Sequence, residues 1–293
     1  MRLDEWLAQA KNQIDALDAE LIAVKTLAPR GTDRSWLVAH DDELVNEPQQ
    51  AKLTKMLKKR QSGMPLAYIL GEKEFYGRKF EVTPDVLIPR PETEVLIELI
   101  KDLPLNMQPN FLEIGTGSGC IAVTLALEFP QSYVLATDIS VPALDVAYRN
   151  NLIHEGRVEF LQSNLLRNVA PDEGRFDVLV ANLPYVDPSW EFLQPKTLVY
   201  EPDQALYVRA EGGLALYRRL FRELKLRQGK DGFAVNYVVV EADPCQHQNL
   251  IKIAEQQDLI HLKTQDYGLV FQRRQCYWAE RHLEKCLKAL KDS

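Results

Sequence analysis

Long apolar runs, cysteine pairs, histidine clusters and excess positive charge are all missing from this chain. No hydrophobic stretch approaches the roughly 20 residues needed to cross a bilayer. The segment Met1 to Ala10 holds Asp4, Glu5 and Trp6 where a signal peptide would have its apolar core. A cytoplasmic protein with no membrane partner is therefore expected. Only four cysteines occur in 293 residues, Cys120, Cys245, Cys276 and Cys286, with no Cys-x-x-Cys spacing. Neither a disulfide framework nor a thiolate metal site is expected. The five histidines form no His-x-His or His-Glu-x-x-His pattern, so no metal is expected either. Lys and Arg number 35 against 42 Asp and Glu, a net charge of -7. A scaffold that holds nucleic acid by neutralising phosphates needs the opposite balance. No direct nucleic-acid binding is expected.

What remains is the composition of an ordinary globular protein, 46% hydrophobic and 26% charged, long enough for one large domain or two smaller ones. Residues 1–73 read as helical. Leu3, Trp6, Leu7, Ala10, Ile14, Leu17 and Leu21 recur at three- and four-residue steps, the stripe of a helix with one buried face. Pro29-Arg30-Gly31 ends it. Thr32 or Asp33 can cap a short helix holding Trp36 and Leu37, and Asn46 followed by Pro48 starts another that stops at Gly63. In residues 74–88 the texture changes, with Phe75-Tyr76 and Phe80-Glu81-Val82 flanking Gly77-Arg78 as in a β-hairpin connector. Over 89–274, strand patterns at Phe111–Ile114, Tyr133–Thr137, Val158–Gln162, Phe176–Ala181 and Phe233–Glu241 alternate with helical ones. This is the signature of a mostly parallel sheet covered on both faces. His261–Thr264 and Leu269–Arg273 lie close enough for a hairpin, which makes the last strand antiparallel. Residues 275–293 read as an added terminal helix.

Two constellations sit at expected strand ends, where open α/β sheets bind ligands. In the first, Glu113-Ile114-Gly115-Thr116-Gly117-Ser118-Gly119 runs from a strand through a glycine turn into a helix. The turn lets a ligand approach the backbone, and the helix start offers unpaired N–H groups. The spacing departs from Gly-x-Gly-x-x-Gly, which weakens a dinucleotide reading. Asp138 ends the next strand, where a carboxylate can accept both ribose hydroxyls. Asn164 and Leu165 follow the third strand, placed for the edge and face of an adenine. S-adenosyl-L-methionine accounts for these features, because it carries an adenosine yet needs no pyrophosphate cradle. Glu113 either favours its ammonium group or caps backbone N–H groups. The second constellation is Asn182-Leu183-Pro184-Tyr185. An Asn oxygen and the next backbone carbonyl can accept both hydrogens of one NH2 group, and the ring can pack on the planar group that carries it.

At this point the chain resembles the HemK-type protein-(glutamine-N5) methyltransferases. The match runs through Pro65 to Gly71, Phe75-Tyr76-Gly77, Pro89-Arg90-Pro91-Glu92-Thr93-Glu94, the glycine turn, Glu201-Pro202 and Gly212-Gly213-Leu214. The resemblance implies a Rossmann-like class I methyltransferase sheet behind a helical substrate-recognition domain. It implies S-adenosylmethionine as methyl donor. The acceptor it implies is the amide nitrogen of the glutamine in the Gly-Gly-Gln loop of a peptide chain release factor. Asn182 and the Leu183 carbonyl would hold that amide, with Pro184 keeping Leu183 extended and Tyr185 packing on it. Two positions depart from the family pattern. Leu183 stands where Pro is usual, which frees the loop and adds an N–H, and Asn164 stands where Asp is frequent. The alternatives are methylation of an adenine amino group in RNA or DNA, since ribosomal RNA adenine dimethyltransferases resemble the chain in their Asn-Leu-Pro-Tyr, and a cofactor-binding module without turnover. The acidic balance and the Pro89–Glu94 segment weigh against the first. Retention of the whole site weighs against the second.

Overall fold

A polar turn breaks the first apolar stripe. In the computed structural model, which describes residues 1–29, 31–170, 174–190, 199–230 and 232–274, α1 spans Leu3–Lys11 and α2 spans Ala16–Leu27. The expected single helix fails at Asp15, whose carboxylate accepts the N–H groups of Leu17 and Asp18 at 2.8 and 3.4 Å and caps a new start. The break rotates the inward face, so Leu17 is 44% exposed while Ala19, Ile22 and Ala23 are buried. Asp33, rather than Thr32, accepts the Ser35 N–H to begin α3 (Ser35–Ala39). At α4 (Glu47–Gln61) Asn46 and Gln49 satisfy each other's backbone N–H reciprocally, both at 2.9 Å. With α5 (Leu66–Leu70) these helices close over Leu3, Trp6, Ile22, Leu53 and Met56. The expected terminal helix over 275–293 lies outside the described residues.

The hairpin pairs β1 (Glu72–Phe75) with β2 (Arg78–Glu81). Phe75 lies opposite Arg78, so the turn is Tyr76-Gly77, one residue earlier than the sequence pattern suggests. Both turn residues have positive φ, 51° and 71°, as a two-residue hairpin turn demands. Phe75 and Phe80 then enter the core of the larger sheet beside Leu96 and Phe111.

After a 3-10 turn at Pro91–Glu94 and α6 (Val95–Lys101), strands and helices alternate as expected. The order is β3 (Asn110–Ile114), α7 (Cys120–Glu128), β4 (Tyr133–Asp138), α8 (Val141–Ile153), β5 (Val158–Gln162) and β6 (Arg175–Ala181). There follow α9 (Asp203–Leu206), α10 (Ala215–Arg227), β7 (Ala234–Glu241), α11 (His247–Glu255), β8 (Leu259–Gln265) and β9 (Gly268–Arg273). The sheet order is β5-β4-β3-β6-β7-β9-β8, with β9 antiparallel to both neighbours. Adjacent residues such as Phe111 and Leu112, or Val178 and Leu179, enter cores on opposite faces. That explains why these strands read as continuous apolar runs. The chain winds outward from β3 to β5, then returns to place β6 on the other side of β3. Ligands bind at such a reversal, outside the carboxyl ends of the strands.

Candidate active site

The reversal between β3 and β6 opens a cavity of about 460 Å³. One wall is the turn after β3. The N–H groups of Gly115 and Thr116 both donate to the Thr137 carbonyl, at 2.8 and 2.9 Å, which folds the turn back over β4. Gly117 donates its N–H to Asp138 Oδ2 at 2.9 Å, and Ser140 donates its own to Oδ1 at 2.9 Å. Ser140, not Asp138, caps α8, its hydroxyl taking the Ala143 N–H at 3.3 Å. Burial pushes the Asp138 carboxyl upward from its usual range, and the N–H groups of Ser140, Gly117 and Ile139 oppose that push. The third turn is tied to the second by the Ser163 N–H on the Asp138 carbonyl, at 2.8 Å. Leu165 there takes a left-handed φ of 53° and lines the cavity beside Asn164.

Glu113 is fully buried at the floor. Its Oε2 accepts the Thr116 hydroxyl at 2.6 Å and the Ala122 N–H, in the first turn of α7, at 3.1 Å. Burial raises its pKa to about 7. Oε1 meets no hydrogen-bond partner among the described residues. Gly119 stands apart from the cavity wall. A Cβ on it would lie 3.0 Å from the Ala147 Cβ, so its lack of a side chain serves the close approach of α7 to α8.

The opposite wall is the end of β6. Asn182, Leu183 and Pro184 line the cavity, whereas Tyr185 lies behind it. The Asn182 amide donates from Nδ2 to Thr93 Oγ1 at 3.1 Å. The Leu183 N–H, the group that proline would lack, donates to the Tyr217 hydroxyl of α10 at 3.1 Å. That hydroxyl in turn donates to the Glu241 carbonyl at 2.5 Å. Instead of a freed loop, the departure from proline gives a loop pinned to two strand ends. The Tyr185 hydroxyl donates to Glu241 Oε1 at 2.9 Å, and Gln246 Nε2 donates to the Tyr185 carbonyl at 2.8 Å. Arg90, also on the cavity wall, pairs with the buried Glu201 at 2.5 Å, and Glu201 accepts the Ile88 N–H at 3.1 Å. Two segments far apart in sequence are joined there. Among the described residues no three His, Cys, Asp or Glu side chains gather as metal ligands.

The PrmC N-terminal domain family matches residues 3–71, and the Methyltransferase small domain family matches residues 92–207. The chain is 38% identical over 234 residues to the release factor glutamine methyltransferase of Neisseria gonorrhoeae, across 80% of this chain and 83% of the relative. It is 41% identical over 206 residues to that of Koribacter versatilis, across 70% of this chain and 72% of the relative. The chain belongs to the release factor glutamine methyltransferase family. Among solved structures the fold is similar to the hMettl16 catalytic domain in complex with MAT2A 3'UTR hairpin 1. The TM-score is 0.54 and the identity 14%, over 83% of this chain and 92% of that one. At that identity the likeness is one of fold alone.

In this member of the release factor glutamine methyltransferase family, the contacts of four residues behind Asn182, Leu183 and Tyr185 escape sequence reading. Tyr217 sits in an unremarkable helical pattern, Gln246 in the turn before a helix, Thr93 after a proline, and Glu241 at the end of an apolar strand. Only Glu241 left a signal, a carboxylate at the end of a strand buried on both faces. Removing the Tyr217 hydroxyl tests the pinning of Leu183. Tyr217→Phe strands the Leu183 N–H and the Glu241 carbonyl, and an unsatisfied buried group costs roughly 1–3 kcal/mol. A lower urea midpoint and a slower enzyme are expected, and an unchanged midpoint would contradict the pin.

Proposed function

We propose that this chain transfers a methyl group from S-adenosylmethionine to the side-chain amide nitrogen of the glutamine in the Gly-Gly-Gln loop of a peptide chain release factor. The observation that carries the proposal is that Asn182 and Leu183 open onto the same cavity as the glycine turn and Asp138. Residues 1–73 would recognise the protein substrate, 74–88 would connect, and 89–274 would carry out the transfer. A release factor substrate agrees with action in the cytoplasm.

The residues present suit the cofactor. The Asp138 carboxylate has a lone pair left beyond the N–H groups of Gly117, Ser140 and Ile139, for a ribose hydroxyl. Leu165 offers an apolar face for adenine, and Asn164 offers a polar side chain for its edge. The backbone of Gly115, Thr116, Gly117 and Ser118 lines the path between them. Glu113 Oε1, buried and without a partner among the described residues, suits an ammonium group. When bound, S-adenosylmethionine supplies a methyl group on a sulfonium, already activated for transfer. The chain's own part is then to aim the acceptor. An amide nitrogen is a weak nucleophile because its lone pair is delocalised into the carbonyl. Asn182 Oδ1 and the Leu183 carbonyl accept its two hydrogens, favour positive charge building there and hold the lone pair towards the methyl. Once methylated, the nitrogen carries positive charge and is strongly acidic, so it releases one of these hydrogens to water as a proton and no strong base is required.

Incubation with methyl-labelled cofactor, a Gly-Gly-Gln release factor and RNA tests the reading. Mass spectrometry should place one methyl on the glutamine; label on RNA with none on the protein would overturn it. Asp138→Ala is expected to weaken cofactor affinity about 10- to 100-fold in a binding titration, since each charge-assisted bond contributes roughly 1.5–3 kcal/mol. Unchanged affinity with a defect confined to transfer would argue against ribose contact.

A further inference from the structure

An asparagine side chain has nearly the same shape when its amide is turned over, so sterics alone cannot decide whether oxygen or NH2 faces the acceptor. The hydrogen-bond partners behind it decide. At this site that choice is critical, because a turned amide would present NH2 to the NH2 of the substrate and forfeit the contact on which the proposed chemistry depends.

Behind Asn182 lies a buried carboxyl. In the parallel pairing of β6 with β7, Ala181 is opposite Val240, so the next residues, Asn182 just past β6 and Glu241 at the end of β7, stand side by side. Glu241 is 2% exposed and Thr93 3%, which separates both from solvent. Thr93 Oγ1 accepts from Asn182 Nδ2 at 3.1 Å, and Glu241 Oε1 accepts from the Tyr185 hydroxyl at 2.9 Å. Oε2 meets no donor in good geometry among the described residues. Burial raises the pKa of this carboxyl, and the Thr93 hydroxyl, the Tyr185 hydroxyl and the Asn182 amide oppose that rise.

We propose that Glu241 is a positioning residue for methyl transfer: its buried carboxylate, with Thr93, fixes which way round the Asn182 amide sits. A carboxylate can only accept hydrogen bonds. The Asn182 NH2 group therefore turns towards Glu241 and Thr93, and Oδ1 is left facing the cavity. Turning the amide over would set Oδ1 against the negative charge. Thr93 works in the same sense, because its oxygen already accepts from Asn182 Nδ2. The same carboxylate holds Tyr185 through its hydroxyl, so one buried charge orients both ends of the Asn182–Tyr185 segment.

This inference rests on the glutamine-methylation reading, and the experiment separates the two. Wild type, Glu241→Gln, Thr93→Val and Thr93→Ser are compared for cofactor affinity by calorimetry and for single-turnover methyl transfer to a release factor. Gln keeps the shape of Glu241 but can donate, and Val keeps the shape of Thr93 but loses the hydroxyl. Both are expected to slow transfer about 10- to 100-fold, the worth of a hydrogen bond to a charged group. Cofactor affinity should stay within about threefold, on the same scale, and Thr93→Ser should restore the rate. Transfer at the wild-type rate in Glu241→Gln and Thr93→Val, with the release factor still methylated, overturns the role of Glu241 alone. Equal losses of affinity and transfer, or no recovery in Thr93→Ser, also overturn it, since a general structural defect would then suffice. Wild-type enzyme that leaves the release factor unmethylated overturns the functional reading beneath it.

Discussion

Asn182→Ala is expected to lower methyl transfer by about 100-fold or more while the protein stays folded and still binds its cofactor. In the proposed mechanism the side chain supplies one of two acceptors for the substrate amide. Removing one preorganised polar partner from a closed site costs on the order of 10²–10³ in rate. Alanine leaves the other acceptor, the Leu183 carbonyl, in place, because the Leu183 N–H remains on Tyr217. It also frees Thr93 Oγ1, so a small loss of stability accompanies the large loss of rate. Single-turnover transfer measured beside a cofactor titration separates the two effects. A variant that transfers methyl groups at the wild-type rate would remove Asn182 from the mechanism.

Gly213→Ala is expected to have the largest structural effect. Gly213 sits at φ 88°, and a Cβ there would come 1.9 Å from the Tyr185 carbonyl oxygen and 2.6 Å from Gln246 Nε2. Both neighbours are engaged with each other at 2.8 Å and cannot move apart without breaking that bond. Overpacking of this kind costs about 1–3 kcal/mol, and backbone strain at positive φ adds about 1–3 more. Tyr185 would shift, taking its hydroxyl off Glu241, so transfer should fall together with the unfolding midpoint. Gly212→Ala is the control. Its φ is also positive, at 60°, but nothing lies within 4 Å of the added Cβ. Only the strain should register there. Equal effects of the two substitutions would show that the contact with Tyr185 does not matter.

This adjacent pair shows where sequence reading ends. Gly212 and Gly213 are indistinguishable as letters in a motif, and their difference arises because a strand end and a helix start, remote in sequence, converge on one of them. The same holds for the glycine turn. Gly115 and Gly117 line the cavity, while Gly119 lets α7 and α8 approach closely. Local signals were legible wherever the physics is local. Asn46 with Pro48 marked the start of α4, and apolar runs alternating with helical patterns marked the parallel strands of the sheet. The stripe from Leu3 to Leu21 misled because periodicity continues across a cap. The first helix ends at Lys11 and Asp15 begins another without disturbing the three- and four-residue steps. The hairpin turn came one residue early because strand pairing reaches as far as Arg78.

By itself the sequence determined the α/β alternation, the caps, the strand-end position of both constellations, and the motifs that relate the chain to its family. These depend on neighbours within a few residues, which the order of side chains specifies directly. The tertiary structure alone decided that Tyr217 occupies the N–H of Leu183, that Glu241 and Thr93 stand behind Asn182, and that Glu201 meets Arg90. Those partners lie 34 to 111 residues apart. They meet because the parallel sheet brings successive strand ends to one edge, and no local pattern records which side chains will face each other there.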